Sequence, residues 1–217
     1  MGVEGLVFFV MSGIGRFIVF EGGEGCGKST QASMLATAMG AHLTREPGGT
    51  ELGEKVRELL LKVGDQDLHP RAELLLLAAA RAQHVEELIG PMLQSGRHVV
   101  CDRFSGSTIA YQGYGRGLPI EDVIVASEIA THGLQADLTV LLDLPFELSL
   151  ERRGVVPDRI EAAGERFHMR VFEGFRAIAD ADRDRWEIVD GSRSVAEVAM
   201  SIRLLVTEHF GPEVFSR

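Results

Sequence analysis

Short apolar runs alternate along most of the chain with longer segments whose apolar residues recur at helical spacing. The short runs predict strands at 17–20, 41–44, 98–101, 138–142 and 186–189. The longer segments predict helices at 31–39, 51–62, 71–93, 119–132, 165–181 and 194–209, and Gly90-Pro91 marks a candidate kink in the third. This alternation predicts an α/β sandwich with a central parallel sheet.

The chain of 217 residues fits one domain, which we place at 17–211, with a C-terminal tail at 212–217. Residues 1–16 carry no motif, and two interpretations of this N-terminal extension stay open. In the first, Met11 is the natural initiator methionine, and the first ten residues come from a start codon assigned too far upstream. Alternatively, 6–10 forms a short edge strand.

A glycine-rich stretch follows the first strand. Gly22, Gly27, Lys28 and Ser29 complete the pattern G-x-x-x-x-G-K-[ST] between a strand and a helix, which is the context that a phosphate-binding loop (P-loop) requires. Glycines let consecutive N–H groups point at an anion, and the helix that opens at Lys28 adds unpaired N–H groups. Lys28 can reach the β- and γ-phosphates of a nucleotide, and the Ser29 hydroxyl can ligate Mg²⁺.

Further candidates lie at or after strand ends, where doubly wound α/β proteins bind ligands. Arg45 opens a loop at 45–50, and Asp102-Arg103 follows the strand at 98–101. The aspartate is placed to assist Mg²⁺ and the arginine to bind a phosphate, whereas the alternative is a surface ion pair. Arg81 ends an apolar run, which on sequence alone favours a helix turning to solvent. The stretch 105–117 offers groups that can hydrogen-bond a flat polar ring: Ser107, Thr108, Tyr111 and Gln112.

An arginine-rich excursion lies at about 152–166. Its arginines are common in exposed, charge-mixed helices, and they also suit a lid that closes over transferring phosphates. We refer to 152–166 as the lid, and its arginines are Arg152, Arg153, Arg159 and Arg166.

Charge and cysteine content narrow the class of protein. The formal net charge is −10 and no basic tract occurs, which argues against a nucleic-acid partner. Cys26 and Cys101 lack metal-type spacing, which suggests a reducing compartment, and no apolar stretch reaches the ~20 residues of a membrane span. We therefore expect a cytoplasmic protein. Cys26 lies just before a helix start, a position that is typical of a reactive thiolate. The alternative is that it is simply a small residue that is tolerated there.

Two classes remain for the P-loop domain. One is a small-molecule phosphotransferase, for which Arg45, Arg81 and Arg103 mark a separate acceptor site. The other is a nucleotide-binding switch or motor, but no guanine-reading N-K-x-D sequence occurs.

Five segments make the chain resemble the thymidylate kinase family from residue 17 to about 208. They are Phe-Glu-Gly-Gly-Glu-Gly-Cys-Gly-Lys-Ser-Thr at 20–30, Arg-Glu-Pro-Gly-Gly-Thr at 45–50, Ala-Ala-Arg-Ala-Gln at 79–83, Asp-Arg-Phe at 102–104 and Ala-Tyr-Gln-Gly at 110–113. Asp-Arg-Ile-Glu at 158–161 resembles the bacterial branch, in which the catalytic arginine comes from the lid, and this P-loop accordingly has no arginine.

The resemblance implies a P-loop nucleoside-monophosphate-kinase-like three-layer sandwich that forms a homodimer. It implies transfer of the γ-phosphoryl of Mg-ATP to dTMP, giving dTDP and ADP in dTTP synthesis, with Mg²⁺ as the metal. The alternatives are a kinase of another nucleoside monophosphate and the switch.

The resemblance also assigns roles by position. The ATP-binding set is Gly22, Gly23, Glu24, Gly25, Cys26, Gly27, Lys28, Ser29 and Thr30, with Ser29 and Asp102 near the metal. The catalytic set is Lys28, Glu24, Asp102, Arg152, Arg153 and Arg159. The dTMP-binding set is Arg45, Leu77, Arg81, Arg103, Ser107, Thr108, Tyr111 and Gln112. In that set Arg45 and Arg103 clamp the phosphate, Tyr111 lies by the sugar and Arg81 faces the thymine carbonyl edge. Leu77 takes the place of the aromatic residue that usually stacks on thymine.

Overall fold

The computed structural model describes residues 15–62, 68–152 and 159–216 of the chain. Most of the predicted N-terminal extension lies outside these ranges, including both interpretations of its first residues. Residues 153–158 of the lid, with Arg153, also lie outside them.

Five parallel strands form one sheet in the order β2-β3-β1-β4-β5. The strands are β1 Phe17–Glu21, β2 His42–Arg45, β3 Val99–Asp102, β4 Leu138–Asp143 and β5 Trp186–Asp190. The central strand β1 is buried along its whole length, as expected of a parallel sheet covered on both faces. The predicted parallel α/β sheet is confirmed, with strand ends that differ by one residue from the prediction.

Helices connect the strands. They are α1 Lys28–Met39, α2 Glu51–Leu61, α3 Pro70–His84, α4 Gly90–Gln94, α5 Ser105–Thr108, α6 Ile120–Thr131, α7 Phe146–Glu151, α8 Glu165–Ala181 and α9 Val195–Phe210. Two π-helical segments, Val85–Ile89 and Ile109–Gly115, and two 3₁₀ turns, Glu161–Ala163 and Pro212–Phe215, complete the described structure.

The predicted helix at 71–93 is divided in the structure. A π-helical segment, Val85–Ile89, separates α3 from α4, and the Gly90 N–H donates to the Val85 carbonyl. Pro91 follows directly and has no N–H to donate, so the regular hydrogen-bond ladder cannot continue through it. The irregularity therefore begins before the Gly90-Pro91 kink that the sequence predicts.

Alternate side chains of β1 face opposite layers. Ile18 and Phe20 pack into a core shared with α1 and α9, whereas Phe17 and Val19 pack into a second core beneath the π-helical segment and α4. This two-sided packing makes the fold a three-layer sandwich. Val214, in the predicted tail, is buried in the first core.

The carboxyl ends of three neighbouring strands bring the candidate residues together. Asp102 pairs in register with Phe20 on one side and with Arg45 on the other. The P-loop leaves β1 one residue later, at Glu21. The site predicted from distant segments therefore lies at one edge of the sheet. Within the described residues, no helix is long and apolar enough to cross a membrane.

Helix α9 allows a matched test of core packing. Ile202 is 1% exposed in the first core, whereas Met200 on the same helix is 67% exposed. We expect Ile202→Ala to lower the free energy of unfolding by about 2–5 kcal/mol, because it leaves a cavity. Met200→Ala, the control, should change it by less than about 0.5 kcal/mol. Urea unfolding measures both, and equal losses would contradict the assignment of α9 to the core.

Candidate functional site

The P-loop has a backbone that only glycine adopts readily. Gly22, Gly25 and Gly27 have φ angles of 141°, 73° and 92°. A Cβ on Gly22 would also lie 2.7 Å from the carbonyl oxygen of Leu142. The turn thus lets the chain reverse closely against β4 before α1 opens at Lys28.

The first turn of α1 presents a cation at the loop. The Lys28 ammonium, on a buried side chain, donates to the Gly23 carbonyl at 2.6 Å and lies 3.5 Å from the Cys26 thiol sulfur. The ammonium thus spans the loop, where an oxygen anion would take over some of its hydrogen bonds.

Ser29 and Asp102 meet, as predicted, at the mouth of the loop. The Ser29 hydroxyl donates to Asp102 Oδ2 at 2.5 Å, and Asp102 Oδ1 is buried without a partner among the described residues. Hydroxyl and carboxylate oxygens suit Mg²⁺, which usually takes one or two protein ligands and completes its shell with water and substrate phosphates. In the described part of the chain, no cluster of three or more His, Cys, Asp or Glu side chains offers an all-protein metal cage.

Two adjoining cavities occupy this edge of the sheet. The first, which we call the phosphate pocket, has about 770 Å³ of empty volume and is lined by the P-loop residues Gly25, Gly27, Lys28, Ser29 and Thr30 together with Arg45 and Asp102. The second, which we call the arginine pocket, has about 630 Å³ and is lined by Leu77, Arg81, Phe104, Ser107, Thr108, Tyr111 and Gln112. Glu24, Glu46, Arg57 and Arg103 line both. The two predicted ligand sites therefore share a wall.

Arg103 forms the centre of the shared wall. It has a φ of 72°, which is uncommon for a residue other than glycine. Its guanidinium donates to Glu24 at 2.6 Å, to the Gly22 carbonyl at 3.1 Å and to the Ser107 hydroxyl at 3.0 Å. Burial would lower the pKa of Arg103, but the surrounding carboxylates, first Glu24, raise it well above its ordinary value. The cation is therefore permanently charged and held in place.

Tyr111 contacts both members of the ion pair between Arg103 and Glu24. Its hydroxyl donates to Glu24 at 2.9 Å, and the Arg103 guanidinium lies 5.1 Å from its ring centroid. Burial is the main reason that the pKa of Tyr111 is raised well above its ordinary value. The phenol thus keeps its proton and acts as a donor.

Arg81 is buried in the arginine pocket, with 2% of its surface exposed, so the interpretation of a helix turning to solvent is wrong. Its Nε donates to Glu46 at 2.7 Å, and its Nη2 donates to the Phe104 carbonyl and the Thr108 hydroxyl at 3.0 and 2.9 Å. Its Nη1 is buried and has no partner among the described residues. One nitrogen of the guanidinium therefore lacks an acceptor, in a residue that lines the arginine pocket.

Behind Arg81 lies a buried series of hydrogen-bonded side chains that the sequence does not predict. Glu46 Oε1 contacts His84 Nδ1 at 3.0 Å, and His84 Nε2 contacts the Thr44 hydroxyl at 2.8 Å. A buried arginine requires an anionic partner. Once Arg81 is taken as buried, the acidic residue in Arg-Glu-Pro would have been the signal for Glu46.

Glu21 and Arg57 were also missed. Glu21, at the buried end of β1, accepts hydrogen bonds from the Phe104 and Ser107 N–H groups and the Ser107 hydroxyl, at 3.0, 2.9 and 2.6 Å. Burial raises its pKa. Arg57, on α2, donates to the Pro47 carbonyl at 3.1 Å and lines both pockets. Other polar residues surround it in the sequence of α2, such as Lys55 and Glu58, so no pattern distinguished it.

Gln112 lines the arginine pocket and contacts a buried acid that the sequence did not predict, Glu73. Gln112 Nε2 donates to Glu73 Oε1 at 2.8 Å, whereas Gln112 Oε1 is buried without a partner among the described residues. Arg116 also contacts Glu73, at 3.2 Å from each carboxylate oxygen. Helical spacing between Glu73 and Leu77 or Arg81 was the signal that could have found this acid.

Two of the described lid arginines, Arg152 and Arg159, have different surroundings. Arg159 donates to Glu73 at 2.5 Å and to the Leu60 carbonyl at 2.7 Å. Arg152 lies beside Gly25 and donates to the Gly191 and Ser192 carbonyls at 2.9 and 3.3 Å. Of these two, only Arg152 is next to the P-loop.

The remaining predicted residues have distinct surroundings. Arg45 is half-exposed and pairs with Glu54 at 3.0 Å on the rim of the phosphate pocket. Leu77 contributes an apolar wall to the arginine pocket. Cys26 is 3% exposed in the first core, so a thiol reagent has little access to it in this conformation.

The arrangement can hold two anionic groups side by side. The P-loop N–H groups and Lys28 suit one polyphosphate, and Arg103 and Arg57 suit a second phosphate across the shared wall. Placement and charge stabilisation are the main requirements of phosphoryl transfer, so no protein nucleophile is needed.

Comparison with known proteins agrees with this geometry. A family model described as Thymidylate kinase matches residues 20–202. The chain is similar to the thymidylate kinase of Parasynechococcus marenigrum (strain WH8102), with 50% identity over 91% of this chain and 99% of that protein. It is similar to that of Geotalea daltonii, with 42% identity over 89% of this chain and 97% of that protein.

A solved structure supports the same conclusion. The crystal structure of thymidylate kinase from Ehrlichia chaffeensis superposes with a TM-score of 0.73 at 33% identity, covering 88% of this chain and 98% of that chain. With its family-specific sequence, parallel sheet and paired pockets, this chain belongs to the thymidylate kinase family.

Proposed function

We infer that the protein is a kinase that transfers the γ-phosphoryl group of ATP to dTMP, giving dTDP and ADP for dTTP synthesis. The observation that carries this inference is the wall shared by the phosphate pocket and the arginine pocket, with Arg103 at its centre. ATP bound in the first pocket and dTMP in the second would have their reacting phosphates adjacent. Membership of the thymidylate kinase family supports the choice of both substrates.

On the ATP side, we propose that the loop N–H groups and Lys28 hold the phosphates. Ser29 and Asp102 would hold Mg²⁺, which supplies neutralisation of phosphate charge when bound. The orphaned Oδ1 of Asp102 supports this assignment, because a buried carboxylate oxygen needs a partner.

On the acceptor side, we propose that Arg103 and Arg57 bind the dTMP phosphate, with Arg45 at the rim. Glu24 and Tyr111 orient Arg103 through the hydrogen bonds described above. Because these hydrogen bonds hold Arg103 at the shared wall, the phosphate would meet a cation that is already in the pocket, although it would have to compete with Glu24 for the guanidinium.

The base would be recognised at its edge by one donor and one acceptor. Arg81 Nη1 and Gln112 Oε1 belong to residues that line the arginine pocket, and both atoms are buried without partners among the described residues. Thymine offers a carbonyl oxygen and the adjacent N3–H, which match a donor followed by an acceptor. Cytosine offers an amino group and a bare ring nitrogen, which mismatch at both positions.

We propose that a lid arginine stabilises the transferring phosphoryl group. Arg152 is supported by its place beside Gly25. Arg159 would need to leave Glu73 to act there, and Arg153 remains a candidate from the sequence.

We also propose a homodimer in the cytoplasm. Val125 and Ile129 are 53% and 76% exposed and share a face of α6, which favours a second copy as the partner of this apolar face. Two free cysteines and two metabolite substrates suit the cytoplasm, and neither pocket calls for a nucleic-acid partner.

The substrate assignment predicts a clear order of acceptors. In a coupled assay of ADP formation with Mg-ATP, dTMP should be phosphorylated, and dCMP should be a poor acceptor because its amino group and bare ring nitrogen mismatch Arg81 and Gln112. Including dGMP, whose carbonyl and adjacent N–H match these two residues, measures how far the size of the base matters. Including dUMP measures the contribution of the thymine methyl group, and Lys28→Met serves as the inactive control. If ADP formation depends on another monophosphate and not on dTMP, the assignment fails.

Because Leu77 takes the place of an aromatic residue, we expect that an aromatic substitution there will improve the affinity for dTMP. A ring stacked on thymine adds about 0.5–1.5 kcal/mol beyond apolar burial, which leucine lacks. Leu77→Phe should therefore tighten dTMP binding by about 2–10-fold. Arg81→Ala should instead weaken binding and blur base choice. Calorimetric titration of dTMP measures both, and weaker binding to a folded Leu77→Phe would show that the phenyl ring clashes.

The lid arginines should act on the transition state. Comparing Arg152→Ala with Arg153→Ala, we expect the catalytic one to lose turnover by about 10²-fold or more with little change in dTMP affinity. Steady-state kinetics and dTMP titration separate the two effects. If both variants lose turnover by the same small factor, the catalytic cation is Arg159 or another residue.

A further inference from the structure

Glu73 is a buried acid at the back of the arginine pocket, and it touches no predicted phosphate position. It lies on α3, its side chain is 1% exposed, and it accepts hydrogen bonds from Gln112, Arg116 and Arg159. Burial would raise its pKa, but the hydrogen bonds from Arg116, Arg159 and Gln112 outweigh burial, so the pKa is lowered. The side chain is therefore an ionised carboxylate that can only accept hydrogen bonds.

This constraint decides the orientation of the Gln112 amide. The oxygen and the NH₂ group of a glutamine have almost the same shape, so packing alone does not distinguish them. Only the NH₂ group can face a carboxylate, and it lies 2.8 Å from Glu73 Oε1. The amide oxygen is consequently turned away from Glu73, and it is the buried atom without a partner among the described residues.

We propose that Glu73 is a positioning residue that sets base specificity by fixing Gln112 Oε1 as an acceptor toward the arginine pocket. This inference rests on the proposed function. Gln112 and Arg81 both line the arginine pocket, so this acceptor and the donor Arg81 Nη1 would together select a ligand with a carbonyl next to an N–H. That pair occurs in a 4-oxopyrimidine such as thymine.

Without the carboxylate, the Gln112 amide can rotate. Its NH₂ group would then face the pocket and repel the N3–H of thymine, while it would donate a hydrogen bond to the bare ring nitrogen of cytosine. Arg81 would still oppose the cytosine amino group. Loss of Glu73 should therefore weaken the discrimination between dTMP and dCMP without abolishing it.

The test compares kcat/KM for dTMP and dCMP in the full-length protein. Glu73→Gln keeps the volume but allows either amide orientation, and we expect the dTMP-to-dCMP ratio to fall about tenfold. The change should be mainly a higher KM for dTMP, with kcat changed by less than about threefold. If Glu73 has a purely structural role, Glu73→Gln should lower kcat/KM equally for dTMP and dCMP. The ratio would then be unchanged, and this result would overturn the inference.

Two controls separate orientation from charge. Arg116→Gln removes a charge partner of Glu73 but keeps the contact with Gln112, so the ratio should stay within about twofold of the wild type. In a Gln112→Met background, where no amide remains to be oriented, adding Glu73→Gln should change the ratio by less than about twofold. A further large fall in that background would show that Glu73 acts by another route.

Two outcomes concern folding and the substrate itself. If Glu73→Gln does not fold, Glu73→Asp withdraws the carboxylate from Gln112 while keeping its charge, and the same fall in the ratio is expected. If the wild type phosphorylates dTMP normally while the folded variants keep the wild-type dTMP-to-dCMP ratio of kcat/KM, that result overturns this inference but leaves the proposed function intact. Absence of dTMP turnover by the wild type overturns the proposed function together with it.

Discussion

The ion pair between Arg81 and Glu46 is the interaction on which the rest of the site depends. Both side chains are almost completely buried, and removal of one partner from such a pair typically costs about 3–5 kcal/mol because the other charge is left uncompensated. Glu46 follows β2 and Arg81 lies on α3, so the pair joins the sheet to the helix layer. His84 and Thr44 extend the same connection. The arginine pocket can therefore exist only when these two layers are packed together.

Buried carboxylates recur behind the other walls of the cleft. Glu21 holds the chain at 104–107 through two backbone N–H groups and a hydroxyl, and Glu73 holds Gln112 together with two arginines. Neither Glu21 nor Glu73 lines the arginine pocket or the phosphate pocket, and each holds residues that do. A chain with a net charge of −10 can thus present cations in its cleft, because these are placed locally and the acids that also line it, Glu24 and Glu46, are paired with Arg103 and Arg81.

Local sequence order determined what could be predicted. The strand, glycine turn and helix around Lys28 follow one another along the chain, so composition and spacing indicated them, and the strand-end rule brought Asp102 to Ser29. The partners of the buried arginines are different, because Glu46 and Arg81 are 35 residues apart and Glu73 and Arg159 are 86 apart. Such pairs are created by packing, so the sequence indicates each acid only indirectly, once the burial of its arginine or of its helix face is known. The π-helical segments were likewise missed, since one wide turn leaves no periodic pattern.

The pairing of Arg103 with Glu24 has a consequence for the lifetime of the bound state. In the structure, Arg103 is already satisfied by a carboxylate, a hydroxyl and a carbonyl. An arriving phosphate must replace some of these contacts, so its binding energy is the difference between two sets of hydrogen bonds rather than the whole of one. If Arg103 binds the acceptor phosphate as we propose, Glu24 would pair with the guanidinium again when the product departs. The internal carboxylate would then limit how long an anion stays and favour rapid exchange, which suits an enzyme whose substrate and product differ by one phosphoryl group.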